Sequence, residues 1–113
     1  MINSIKVPTS AVLALRQQIE YYFSLNNLTT DGFLTNLINS NQGGWVQTKV
    51  LFKFNNIQNI FSSFFNKTVT GKQKRAILRK ACESSPMFET TLFTIRSKHT
   101  VINNTSFQQV LYF

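Results

Sequence analysis

Acid is what this chain has least of. Glu20, Asp31, Glu83 and Glu89 are its only carboxylate side chains, against twelve lysines and arginines, which leaves a formal net charge of +8 over 113 residues. Nothing in their spacing pairs two of them for acid–base catalysis. The single histidine, His99, has no second histidine, cysteine or carboxylate close by to complete a metal site. The single cysteine, Cys82, excludes an internal disulfide, and among apolar neighbours on a predicted helix it reads as a buried thiol. Glycine is sparse, and neither occurrence in a suggestive context makes a phosphate loop. Gly43-Gly44 lacks the following Lys-Ser/Thr, and Gly71-Lys72 lacks a glycine at the required distance before it. No apolar run approaches the roughly 18–20 residues that cross a bilayer. The opening residues show neither the apolar stretch nor the small-residue cleavage site of a secretory signal. The expectation is a protein without catalysis, metal, cofactor or membrane partner, working in a reducing compartment.

What is abundant is positive charge and phenylalanine. A field of +8 on so small a chain favours a polyanionic partner and weakens with salt. Charge alone does not separate RNA from DNA or from an anionic membrane. Six of the twelve positive charges fall between Lys67 and Lys80, so they form a patch and not an even coat. Eleven phenylalanines, in a chain that is 42% hydrophobic, supply enough apolar material for one core.

Periodicity orders the elements. Pro8-Thr9-Ser10 reads as a helix entry with Thr9 or Ser10 as cap, followed by Val12, Leu15, Ile19, Tyr22 and Phe23 at helical spacing through residue 23. Residues 24–30 break the pattern. Thr30 is expected to cap a second helix, with Asp31 in its first turn and Phe33, Leu34, Leu37 and Ile38 on its apolar face. Residues 39–44 form a loop and Trp45-Val46-Gln47 a short extended piece. Thr48 opens a helix through Val50, Leu51 and Phe54, with a further turn near residues 56–60. Residues 61–70 stay ambiguous, the Phe61, Phe64, Phe65 cluster arguing for packing and the polar residues after it for loop. A basic helix follows from residue 72 to 83, capped by Thr70 or Gly71. It turns Ala76, Ile77, Ala81 and Cys82 inward and Lys74, Arg75, Arg79 and Lys80 mostly outward, and Pro86 stops it. Residues 87–102 read as a two-stranded hairpin whose turn lies at 90–92 or at 97–99. This order suits an α+β fold, a single winged-helix domain of helices plus a small antiparallel β wing.

The most informative segment is Gln18-Ile19-Glu20-Tyr21-Tyr22-Phe23-Ser24, followed by Asn27-Leu28, Asp31 and Phe33-Leu34. Consecutive helical residues diverge by about 100°, so Tyr21 must point away from Tyr22 and Phe23. Gln18, three residues earlier, shares the face of Tyr21. An exposed ring beside an amide offers a stacking surface next to a group able to read a base edge. That Tyr21 only covers the rim of the core is the equal alternative.

Together with Leu15-Arg16-Gln17 before it, this segment resembles the opening of the La motif. Gly44-Trp45-Val46, with Lys53-Phe54-Asn55 after it, resembles that family's second conserved block at the right distance. The resemblance covers residues 13–60 firmly and 76–97 loosely. It implies a winged-helix domain over residues 1–102, with an insertion around 61–71 and a tail or linker at 103–113. It also implies a pocket for the 3′ end of single-stranded RNA, lined by Gln18, Tyr21, Tyr22, Asp31, Phe33 and Phe54. By the resemblance Asp31 binds the terminal ribose hydroxyls, Tyr21 and Phe54 stack bases, Phe33 packs on sugar or serves the core, Gln18 reads uracil, Tyr22 closes the pocket and Lys53 meets a phosphate.

Leu25 departs from the family where an acidic residue is common, Gln47 replaces a frequent proline, and the Phe-rich insertion offers a surface for a protein partner. The basic run 72–80 is expected either to follow an RNA backbone or simply to be solvated. No RNA-recognition motif follows in these 113 residues, so a fragment, a solitary motif or a subunit completed by another chain is expected. The implied function is recognition of an oligouridylate end with a free 3′-hydroxyl on small non-coding RNAs, for protection, folding or ribonucleoprotein assembly. The implied setting is the nucleus, with the cytoplasm also open, and an RNA-recognition-motif protein or other ribonucleoprotein subunit as partner. Two alternatives are a La-related module binding poly(A) and an assembly subunit acting through protein contacts.

Overall fold

The computed structural model describes residues 7–65 and 69–98. The first helix, α1 (Thr9–Tyr22), buries Ala11, Leu15, Ile19 and Tyr22 along one stripe. Thr9 and Ser10 do not cap it. They belong to its first turn, and Pro8 occupies the cap position without any side-chain bond, where a proline's missing N–H costs nothing. The break expected at 24–30 contains a single helical turn, α2 (Leu25–Leu28), because the Ser24 side chain accepts from the Asn27 N–H and caps it.

Asp31, and not Thr30, caps α3 (Gly32–Asn39): its carboxylate accepts from the Leu34 N–H, while the Thr30 hydroxyl turns back to the Asn27 carbonyl. Leu34 and Ile38 enter the core and Leu37 packs against it, but Phe33 points out. The loop after α3 needs glycine at 43, where φ is +91° and an added Cβ would lie 3.0 Å from the Arg96 guanidinium. That guanidinium also sits 4.3 Å above the Trp45 ring and binds Glu89, so loop and wing are held together.

Strand β1 (Val46–Gln47) leads into α4 (Thr48–Leu51), and the chain re-enters a helix at once as α5 (Asn55–Phe64). Phe54 therefore lies outside α4, at the cap position of α5. Helix α5 is longer than one turn and runs into the ambiguous segment. Ile57 and Phe61 are buried, with Ile60 packed beside them, so apolar burial at helical spacing overrides an Asn-rich composition. Phe61 thus belongs to the core, stacking on Phe65 at 5.8 Å. Helix α6 (Gly71–Glu83) starts with a reciprocal capping box between Thr70 and Gln73. It buries Ile77, Leu78, Ala81 and Cys82; Leu78 joins the expected inward set and Ala76 is only half-buried.

The hairpin turns at residues 91–93, the first of the two placements. Strand β2 (Phe88–Thr90) and β3 (Thr94–Ser97) are antiparallel, and β3 also pairs with β1, giving the order β1-β3-β2. Helix α1 packs on α5 and α6, and α6 packs on β2. This is the winged-helix architecture. His99, residues 99–102 of the expected hairpin and the segment 103–113 lie outside the described residues.

Candidate nucleic-acid interface

Three consecutive aromatics at the end of α1 divide as helix geometry demands. Tyr22 and Phe23 are 7% and 3% exposed, whereas Tyr21 is 54% exposed. Phe23 meets Phe88 of the wing edge to face and anchors the helix end. Tyr22 turns to the opposite side, where the Phe54 ring stands edge-on to it with centroids 4.6 Å apart. Phe33 leans over Phe54 at 6.1 Å and is 55% exposed. A phenylalanine left that far in water on a helix with buried neighbours is available to a ligand.

These rings surround an open hollow of about 360 Å³ lined by Tyr22, Asp31, Phe33, Phe54, Asn55 and Asn56. It is built by the end of α1, the cap of α3 and the start of α5, elements far apart in sequence. Four of the seven sequence-derived site residues line it: Tyr22, Asp31, Phe33 and Phe54. Gln18 stands behind, interacting with the Tyr22 phenol, and Tyr21 extends the aromatic surface outward, its ring centroid 6.3 Å from that of Tyr22. Lys53 is exposed beside Phe54 and does not line the hollow.

Asp31 has a distinctive electrostatic setting. The three glutamates each face an arginine: Glu20 with Arg16 at 3.7 Å, Glu83 with Arg79 at 2.8 Å and Glu89 with Arg96 at 2.7 Å. Asp31 faces no lysine or arginine among the described residues. One of its oxygens accepts from the Leu34 N–H at 3.0 Å and the other from the Asn27 amide at 3.3 Å. Asn27 is itself fixed by donating to the Tyr22 carbonyl at 2.8 Å. A carboxylate has about four acceptor sites, so each oxygen keeps capacity for one further donor.

Burial pushes the Tyr22 phenol above its ordinary value. Hydrogen bonding from Gln18 and Asn56 pulls the other way, and the negative charge of Asp31 adds to the rise. The phenol is therefore a neutral group at physiological pH and does not compete with Asp31 as an anion. Asn55 and Asn56 are the lining residues that sequence reasoning did not single out. Asn55 stands inside the Lys53-Phe54-Asn55 block, but only the fold shows both asparagines at the hollow. Among the described residues no group of three or more His, Cys, Asp or Glu could hold a metal ion. No described helix is long and apolar enough to cross a membrane.

A winged helix carrying a half-open aromatic hollow with one cation-free carboxylate, in a chain this basic, belongs to the nucleic-acid-binding class of domains. The La domain family matches residues 15–82, and the chain belongs to that family, one of RNA-binding, non-enzymatic domains. Among relatives it is similar to a La-related protein 7 homolog of Tetrahymena thermophila, with 39% identity over 56 residues. That match covers 50% of this chain and 10% of the relative. Among solved structures it resembles the La autoantigen N-terminal domain, with a TM-score of 0.64 at 20% identity over 85% of this chain and 95% of that one. At that identity the likeness shows the fold.

Proposed function

We propose that this domain binds the 3′-terminal nucleotides of single-stranded RNA, preferring a uridine run that ends in free 2′- and 3′-hydroxyls. The observation that carries the reading is Asp31: a carboxylate with spare acceptor capacity and no cationic partner among the described residues, on the wall of an aromatic hollow. Two vicinal hydroxyls donate to its two oxygens. A terminal phosphate in their place brings like charges together in a partly desolvated site. The 2′-hydroxyl contact disfavours DNA.

Phe54 and Tyr21 stack bases, each such contact being worth about 1–3 kcal/mol by alanine substitution. Phe33 packs on the sugar, and Tyr22 forms the inner wall. Gln18 offers donor and acceptor to a uracil edge, and Lys53 meets a backbone phosphate from outside the hollow. The cellular role that fits is end protection, folding or ribonucleoprotein assembly of small non-coding RNAs in the nucleus, with a second RNA-binding subunit completing the cleft.

The test is fluorescence anisotropy with a uridine-ended oligomer carrying a 3′-hydroxyl, its 3′-phosphate and DNA counterparts, and an adenine-ended competitor. The free hydroxyl end is expected to bind tightest. Asp31→Asn is expected to erase that advantage with a loss of about tenfold or more, the scale of a hydrogen bond to a charged group. Equal affinity for hydroxyl and phosphate ends counts against the pocket, and preference for the adenine-ended strand overturns the uridine assignment.

A further inference from the structure

A second basic and aromatic surface lies away from this hollow and shares no lining residue with it. Lys72, Arg75, Ala76 and Arg79 of α6 line a groove of about 250 Å³ together with Leu92 and Phe93 of the β2–β3 turn. Positions 72, 75, 76 and 79 recur at helical spacing, so the three cations form one face with the small Ala76 as its floor. Arg79 is paired with Glu83, but Lys72 and Arg75 have no ion-pair partner among the described residues. The other three carboxylates are engaged elsewhere, with Arg16, with Arg96 and at the end pocket. Lys72 also lies in the first turn of α6, where the helix dipole disfavours a cation. Its placement therefore works against helix stability, a local conflict of the kind that binding sites carry.

The turn opposite is built to present its ring. Leu92 and Phe93 are 61% and 63% exposed, the two most exposed of the large apolar residues described. Their backbone is nevertheless fixed. The Thr91 hydroxyl accepts from the N–H groups of Phe93 and Thr94, and the Phe93 carbonyl accepts from both the N–H and the hydroxyl of Thr48. A rigidly held, solvated phenylalanine beside unpaired cations has the make-up of a single-strand platform, where a ring stacks a base and cations follow the phosphates.

We propose that the Lys72–Arg75–Arg79 face and the Phe93 turn tip form a second RNA-binding surface. It takes an unpaired stretch of RNA, phosphates on Lys72 and Arg75 and a base stacked on Phe93. The proposal goes beyond end recognition and does not depend on it.

The experiment uses the full chain in an Asp31→Asn background, titrated with a uridine-rich oligomer carrying a 3′-phosphate, so that end recognition does not contribute. Removing both free cations (Lys72→Ala with Arg75→Ala) is expected to lower affinity about tenfold at low salt. It should also flatten the log–log salt dependence by about 1.4, or ~0.7 for each single-strand phosphate that the protein no longer neutralises. Phe93→Ala is expected to weaken binding by about tenfold with the salt slope unchanged, the signature of a neutral stacking interaction. Thermal melts establish that each variant is folded. With Asp31 restored, all variants should keep the wild-type ratio of hydroxyl-end to phosphate-end affinity. Unchanged affinity in both variants overturns the proposal. So does tighter binding of duplex RNA that is indifferent to Phe93→Ala. If end preference is absent but these losses are seen, the first pocket fails and the second surface stands.

Discussion

Asp31 closes the N-terminus of α3 through one oxygen and faces the aromatic hollow with the carboxylate as a whole. Asparagine caps a helix about as well as aspartate, whereas alanine does not. Asp31→Ala is therefore expected to cost about 1 kcal/mol of stability in denaturant titrations, while Asp31→Asn keeps the bond from the Leu34 N–H, gives up the one from Asn27 and the charge, and costs less. Similar destabilisation by the two variants would show that the charge, and not the cap, matters to the fold. A second residue-scale effect comes from burial of the Cys82 thiol among α6 and its neighbours, which pushes its pKa from 9.0 to about 12. The unfolded chain loses that proton first, so the thiol's contribution is fully present below pH 9.0 and is lost as pH climbs toward about 12. The raised Tyr22 phenol has the same sign, beginning above 10.0. Unfolding free energy should fall with alkaline pH, and Cys82→Ala should make the decline shallower, starting only where tyrosine ionises. An identical slope in the variant would contradict the buried-thiol account.

At the scale of elements, legibility follows locality. Helix α1 and its divided aromatics are readable because 3.6-residue periodicity is a property of neighbours, and Tyr21 and Tyr22 separate as that geometry requires. Caps are less legible. Thr30 and Asp31 are both good cap residues, and Asn27 makes the choice between them: its carbonyl takes the Thr30 hydroxyl and its amide steadies Asp31. Helix α5 looks foreshortened in the sequence because Asn55, Asn56 and Asn59 are poor helix formers; burial of Ile57 and Phe61 supplies what propensity does not. The capping box on α6 is the reverse case, a local signal realised in full. Thr70→Ala removes the bond to the Gln73 N–H and is expected to lower stability by about 1 kcal/mol. The check is the denaturation midpoint, and no shift would mean that tertiary packing alone holds the start of α6.

On the scale of the whole molecule, the hollow unites the end of α1, the cap of α3 and the start of α5. Its residues can be named from two sequence blocks only because a resemblance supplies their meeting; periodicity cannot bring Phe54 to Tyr22. Asn55 and Asn56 escape assignment because nothing local distinguishes them from the chain's other asparagines. The charge distribution follows the same logic. Arginines neutralise the three glutamates, so the net positive field is broken at the pocket by Asp31 and left uncompensated along Lys72 and Arg75. In the proposed function the basic surround draws RNA in and Asp31 admits a hydroxylated terminus. The coupling of Asp31 to the terminal ribose is open to direct measurement in a double cycle, pairing wild type and Asp31→Asn with oligomers whose terminal ribose carries or lacks its 2′-hydroxyl. Strong non-additivity is the predicted result, with loss of the hydroxyl weakening binding to the wild type and leaving the variant almost indifferent. Additive losses would mean that Asp31 does not touch the terminal ribose, and would contradict the account.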